Sequence, residues 1–279
     1  MSGEPVNAVE LAEAYYDSSD ADNFYMKVWG GEDIHIGLYE PPDLSIREAS
    51  RRTVIAMADR LKDVGPQTRV LDLGAGYGGA ARYLAERFGC QVTCLNLSET
   101  QNAHNRRISA EAGLGEKVVV EHGNFEAIPE GDATFDVVWS QDAILHSGDR
   151  PQVLREARRV LRPRGQLLFT DPMQSENAPP SALTAVLQRI HLDTMGSLGF
   201  YERELSKLGF AAEQVTPLTQ HLVTHYSRVR SELLSRRGEL DGVVSTDYVE
   251  RMLVGLQHWV DAGNAGNLAW GIMHYRLPT

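Results

Sequence analysis

Between residues 69 and 171 the chain alternates short apolar runs with longer stretches in which apolar residues recur at helical spacing. Val70, Leu71 and Leu73 make one compact apolar strand, and Ala81, Leu84, Ala85 and Phe88 then fall on one helical face. The same spacing predicts strands at about 69–73, 91–96, 117–122, 135–140 and 165–171, separated by helices at about 79–88, 98–113 and 151–161. Alternation of this kind builds an α/β fold with parallel strands and right-handed crossovers. Beyond Pro172 the pattern loosens: helices are expected at about 181–194, 201–208, 220–236 and 245–262, with strands near 210–216 and 268–276.

Ahead of the first strand, residues 9 to 28 read as two short helices hinged by the polar run Asp17 to Asn23. After a turn at Trp29-Gly30-Gly31 and the break at Pro41-Pro42, a longer helix is expected from Ser45 to Lys62. The expected organisation is a helical cap over residues 1–60, folded over a ligand, and a core over residues 61–279. An insertion at about 173–200, after the fifth strand, is expected to form a substrate wall. A helix pair that merely covers a sheet edge fits the N-terminal pattern nearly as well.

The run Leu73-Gly74-Ala75-Gly76-Tyr77-Gly78-Gly79 joins the first strand to its helix and reads as a nucleotide-binding turn. Gly74 and Gly76 permit backbone angles and close ligand approach that a Cβ would obstruct, and Gly79 is expected to let the helix lie close on the strand. Asp72, two residues before the first glycine, argues against a dinucleotide, whose pyrophosphate would meet its charge. S-adenosylmethionine carries an ammonium and a sulfonium instead, both favoured by a carboxylate. The second strand ends in Asn96 rather than the acid of a dinucleotide site, and Asn96 can still hydrogen-bond ribose hydroxyls. Ligands of such sheets bind beyond the carboxyl ends of the strands, which directs attention to two further turns. In Gly123-Asn124-Phe125-Glu126, Asn124 suits an adenine amino group and Phe125 its ring face, although the pair equally suits a turn and a core position. In Ser140-Gln141-Asp142-Ala143-Ile144-Leu145-His146, one helical turn would aim Asp142 and His146 into the same cleft.

Composition narrows the function classes. The chain has 279 residues, 42% apolar and 23% charged, which suits a globular protein with one large core or one core plus a cap. Lys plus Arg total 27 against 38 Asp plus Glu, and the net charge of -11 disfavours nucleic acid and anionic membrane surfaces as partners. Without a basic-apolar leader or an apolar run of about eighteen residues, the expectation is a cytoplasmic chain. Cys90 and Cys94 are expected to be reduced and buried. His221 and His225 have helical metal-ligand spacing but no acidic third ligand nearby, so no metal is expected.

Three stretches carry a resemblance: Val70 to Gly79, Phe135 to His146, and Val160 to Pro172. Over about residues 45 to 215 the chain resembles class I S-adenosylmethionine-dependent methyltransferases, a doubly wound, mostly parallel seven-stranded Rossmann-like sheet with an antiparallel last strand. With Trp29 to Tyr39 and the chain length added, it resembles sarcosine/dimethylglycine N-methyltransferases of glycine betaine synthesis, with phosphoethanolamine methyltransferases as near relatives. The resemblance implies S-adenosylmethionine as cofactor, held by Tyr25, Ile34, His35, Asp72, Gly74, Ala75, Gly76, Asn96, Leu97, Gln101, Asn124, Phe125 and Gln141. It implies a small zwitterionic amine as substrate, met by Tyr16, Trp29, Asp142 and His146. In those relatives a tyrosine of the first helix closes over the cofactor and pairs with the histidine, roles that fall here on Tyr16 (with Tyr15 the alternative) and His146. Two other readings stay open: the same fold acting on phosphoethanolamine or another small amine, and a nucleoside-binding regulator without chemistry. A quaternary ammonium product would favour aromatic faces, which Tyr15, Tyr16, Tyr25, Trp29 and Tyr39 supply. The substrate carboxylate needs an arginine, either one in the cap or Arg189. The oligomeric state is left open.

Overall fold

The computed structural model describes residues 19–190 and 192–279. Strands β1 (Arg69–Leu73), β2 (Gln91–Asn96), β3 (Val118–His122), β4 (Phe135–Gln141) and β5 (Leu161–Thr170) run parallel. After them come β6 (Met173–Gln174), β7 (Ala211–Pro217), β8 (Leu268–Ala269) and β9 (Gly271–Arg276). Seven form one sheet in the order β3-β2-β1-β4-β5-β9-β7, with β9 antiparallel to both neighbours, while β6 and β8 make a small separate ribbon. The middle strands read as continuous apolar runs because both faces are covered: Val137, Val138, Trp139, Leu167, Leu168 and Phe169 are all fully buried. The chain steps outward from β1 to β3 and then returns to lay β4 beside β1. That reversal opens a crevice at the carboxyl ends of β1 and β4.

The helices are α1 (Ser19–Phe24), α2 (Ile46–Ala58), α3 (Gly79–Phe88), α4 (Glu99–Glu111), α5 (Arg150–Val160), α6 (Thr184–Arg189), α7 (Leu198–Lys207), α8 (Thr219–Ser235), α9 (Arg237–Leu240) and α10 (Thr246–Asn264). Local side chains start most of the long ones. Ser45 and Glu48 form a reciprocal capping box on α2, and Ser98, Asp149, Ser197 and Ser245 cap α4, α5, α7 and α10. One apolar cluster joins Phe24, Trp29 and Val54 to α3, α8 and α10; a second packs Val153, Leu154, Tyr201 and Leu205 of α5 and α7 on the opposite face of the sheet.

The segment before the sheet is fastened to the C-terminal helices. His225 Nδ1 accepts from Gly37 N at 3.1 Å and lies 3.0 Å from Tyr39 Oη, His221 Nδ1 accepts from Tyr39 N at 3.1 Å, and Arg228 donates to Leu44 O at 2.9 Å. The histidine pair with metal-ligand spacing thus serves as a clamp, and no metal-type cluster occurs among the described residues. Several boundaries differ from expectation for physical reasons. The polar run expected as a hinge is helical from Ser19, and Asp20 accepts from Ser245 N at 2.9 Å, a long-range anchor that no local pattern reveals. Helix α2 stops at Ala58, where the following amides leave the helical pattern and close tighter turns, Arg60 N onto Met57 O at 3.0 Å and Leu61 N onto Ala58 O at 3.2 Å. The helix expected over 181–194 is a 3-10 turn, Pro180–Leu183, followed by the short α6. Cys90 and Cys94 are free and buried. No helix among the described residues is long and apolar enough to cross a membrane.

Candidate active site

Two adjoining cavities occupy the crevice. The first, about 740 Å3, is lined by Gly74 and Gly76 of the glycine turn, Asn96 to Ser98 beyond β2, Gln101, the Asn124 to Glu126 turn and Gln141 to Ala143. Both glycines have positive φ, +71° and +53°, but for different ends. A Cβ on Gly74 would stand 2.4 Å from the Ala143 Cβ, so this glycine lets the exit of β4 cross the turn. A Cβ on Gly76 would meet nothing closer than Ile34 at 3.5 Å, which leaves the space above it to a ligand. Gly79 contacts the cap rather than the strand, since a Cβ there would strike Asp33 Oδ1 at 2.2 Å and Glu32 O at 2.9 Å.

Amide groups furnish the polar part of this cavity. Gln101 Oε1 accepts from Asn96 Nδ2 at 3.1 Å and Gln141 Oε1 accepts from Trp139 Nε1 at 3.1 Å. Those bonds aim neither remaining amide N–H at a protein acceptor: Gln101 Nε2 and Gln141 Nε2 are buried donors without partners among the described residues. Unpaired buried donors are costly in a finished fold, so they mark where a polar ligand completes the site. Asn124 Oδ1 accepts from Glu126 N at 2.8 Å, which shapes the turn that brings Phe125 to the wall.

The second cavity, about 500 Å3, shares Ile34, Asp142 and His146 with the first and continues under the cap. Its wall is aromatic. Tyr25 and Trp29 come from the π-helical turn Tyr25–Trp29, Tyr226 from α8 and Trp259 from α10, with the last two stacked at 4.7 Å. The indole N–H groups of Trp29 and Trp259 are buried without an acceptor among the described residues. Arg189, at the end of α6, is the one side chain carrying a fixed positive charge among the residues of this wall.

At the border, Asp142 sits in a left-handed conformation with φ +51°. Its Oδ2 accepts from Ile36 N at 2.7 Å and its Oδ1 from Trp270 Nε1 at 2.8 Å, so one carboxylate ties the cap to the end of β4. Burial raises the Asp142 pKa, while His35 and the two bonds pull it back. The turn that follows is held by Asp171, which accepts from Leu145 N at 2.9 Å and from Tyr201 Oη at 2.6 Å. Burial, reinforced by Arg150 and Arg189, pushes His146 down to about 4, and burial likewise brings His35 to about 4. Both imidazoles are neutral at pH 7.

Residues 71–169 match the sequence model of the methyltransferase domain. Over 269 residues the chain is 52% identical to a sarcosine/dimethylglycine N-methyltransferase from Halorhodospira halochloris, covering 96% of each protein. The chain belongs to the sarcosine/dimethylglycine N-methyltransferase family. It is 54% identical over 270 residues to a glycine/sarcosine/dimethylglycine N-methyltransferase from Actinopolyspora halophila, where it spans 97% of its own length but only 48% of that relative. A crystal structure of a protein from Galdieria sulphuraria, proposed to be a sarcosine dimethylglycine methyltransferase, superposes with a TM-score of 0.89 at 44% identity, covering 95% of this chain and 99% of that one.

In this methyltransferase the residues expected to hold the cofactor separate into groups. Ile34, Gly74, Gly76, Asn96, Leu97, Gln101, Asn124, Phe125 and Gln141 line the first cavity. Tyr25 and His35, expected there too, line the second instead, because the cap crosses the crevice at Ile34 and carries its neighbours past it. Asp72 is 3% exposed and does not line the cavity; its partner on the neighbouring strand is Cys94, and burial raises it to about 7. Ala75 packs against the apolar cluster. Trp29, Asp142 and His146, expected at the substrate, do line the second cavity. Tyr15 and Tyr16 lie outside the described residues. Tyr39 is buried against His225 and Arg228 and faces neither cavity. Tyr226 and Trp259 carry no signal of a site in the sequence, because each falls on the apolar face of a long helix, where an aromatic residue reads as core.

Proposed function

We propose that the first cavity binds S-adenosylmethionine and that the second admits sarcosine and dimethylglycine, giving glycine betaine as the final product. The observation that carries this reading is the second cavity: one guanidinium and two indole donors for a carboxylate, aromatic faces for an alkylated ammonium, and a shared border with the nucleoside cavity. S-adenosylmethionine, when bound, supplies an electrophilic methyl group on a sulfonium. The fit of the first cavity rests on the open space above Gly76 and on the two amide donors left without partners.

The protein's own contribution is positioning and exclusion of water. Asp142 places a carboxylate at the border of both cavities, where two cationic groups would meet. The acceptor amine must arrive unprotonated. His146, at about 4, lies several units below an alkylammonium of roughly 8–10 and cannot hold that proton in the steady state. Deprotonation therefore falls to the dry chamber, which disfavours the charged amine, and to solvent. His146 positions, and Tyr16 is its expected partner in closing the cap. The trimethylammonium product meets the faces of Tyr25, Trp29, Tyr226 and Trp259.

A phosphorylated acceptor fits less well, since a phosphate calls for several cationic donors. Nearby Arg150 is already committed to Leu145 O, Thr194 Oγ1 and Thr194 O. Steady-state rates with sarcosine, dimethylglycine and phosphoethanolamine test the reading. Both amino acids are expected to be turned over with phosphoethanolamine inert; faster turnover of phosphoethanolamine refutes the assignment.

A further inference from the structure

We propose that Gly255 sets acceptor specificity: the missing side chain is a notch in α10 that seats Arg189 in the acceptor chamber, where its guanidinium joins two indole N–H groups in binding the acceptor's carboxylate. This rests on the reading of that chamber given above.

Glycine is a poor residue for the interior of a helix, and Gly255 lies near the middle of the 19-residue α10. The backbone does not require it there, since Gly255 is not among the glycines with positive φ. What requires it is Arg189. A Cβ at 255 would stand 2.1 Å from Arg189 Cδ, 2.5 Å from Nε and 3.1 Å from Cγ. The arginine stem crosses the helix through that gap, and Nη2 reaches Met252 Sδ at 3.5 Å, three residues back along α10. The guanidinium is close enough to His146 to depress its pKa.

Trp259 lies four residues beyond Gly255, on the same helical face. Its indole N–H, 1% exposed as a residue, has no acceptor among the described residues, and neither does that of Trp29 at 5%. A guanidinium and two N–H groups around one chamber match a monoanionic, planar carboxylate. The Tyr226 ring stacked on Trp259 fixes one of those donors.

The notch gives an unusual signature. The atoms in the way of a new Cβ belong to a flexible side chain, so Gly255→Ala can fold by displacing Arg189, and alanine favours the helix. The variant is expected to melt at or above the wild-type temperature and to bind S-adenosylhomocysteine normally by calorimetry. Its KM for dimethylglycine should rise at least tenfold with kcat within about threefold. N,N-dimethylethanolamine, which lacks the carboxylate, serves as the probe acceptor, and its kcat/KM should hardly change. In Arg189→Gln the same preference should vanish, and adding Gly255→Ala to it should cost nothing more. An unchanged KM for dimethylglycine in Gly255→Ala, or equal losses on both acceptors, overturns the notch. Failure of the unaltered enzyme to methylate dimethylglycine instead overturns the acceptor assignment beneath it.

Discussion

Replacing Asp142 by Asn isolates the charge and one acceptor of the residue that joins the two cavities. The backbone is not the issue, because Asn tolerates the left-handed conformation that Asp142 adopts at φ +51°. The amide oxygen can still accept from either Ile36 N or Trp270 Nε1, but the amide nitrogen then faces the other donor. Leaving one buried donor unpaired costs about 1–3 kcal/mol, and the surviving bond loses roughly 1 kcal/mol of charge assistance. Part of this is returned, since burial raises the Asp142 pKa and so disfavours the carboxylate that Asn removes. The net expectation is a destabilisation of ~1–3 kcal/mol in urea unfolding, with the slope unchanged. Function should suffer more than stability: the Ile36 bond holds Ile34 over Gly76, so kcat/KM for dimethylglycine should fall at least 30-fold under conditions where the variant is fully folded. A variant with wild-type midpoint and turnover would refute the border role of Asp142.

Gly76→Val should abolish binding of S-adenosylhomocysteine in calorimetry while leaving the far-UV signal nearly intact, because its side chain enters ligand space and the strain of a β-branched residue at φ +53°, about 3 kcal/mol, lowers the melting temperature without changing the fold. Because His146 stays neutral above about 4, kcat/KM should rise with pH along the ionisation of the acceptor amine and show no limb near 6.5; such a limb that disappears in His146→Gln would make His146 the base. Burial lowers His225 from 6.5 to about 3, so the stability it contributes is present above pH 6.5 and lost as pH falls through that window. Unfolding free energy measured from pH 6.5 to 4.5 should therefore fall less in His225→Gln than in wild type, by roughly 2–3 kcal/mol; parallel curves would contradict the clamp. Tyr16→Phe and His146→Ala should each lower turnover more than cofactor affinity, and together cost little beyond the worse single change; additive losses would rule out the pairing.

How much of this was legible in the sequence depended on how far apart the cooperating residues lie. The β1 turn could be read because its strand, glycines and helix are contiguous, and the place of Asn96, Asn124 and Gln141 at the first cavity followed from the rule that the crevice of such a sheet lies beyond its strand ends. Asp72 shows the limit of that reading: it is buried in β1, paired with Cys94 of β2, and is not among the residues lining the first cavity, a placement that only the assembled sheet fixes. The second cavity was harder still. Trp29 was expected through the resemblance alone, while Tyr226 and Trp259 come from two distant helices, and on a helix an apolar stripe that lines a cavity has the same spacing as one that fills a core. His221 and His225 carried a metal-like spacing, but their partners are backbone N–H groups of Gly37 and Tyr39, which leave no trace in composition. Gly255 had a local signal, a glycine inside a helix, whose cause became visible only once Arg189 was placed against it.

Incubation of the protein with S-adenosylmethionine carrying a trideuterated methyl group and with unlabelled dimethylglycine, followed by mass spectrometry of the small molecules, tests the central claim most directly. The account predicts glycine betaine three mass units heavier than the unlabelled compound, formed in step with S-adenosylhomocysteine, and singly and doubly labelled products from sarcosine. Normal binding of S-adenosylhomocysteine without label in any of these acceptors would contradict it.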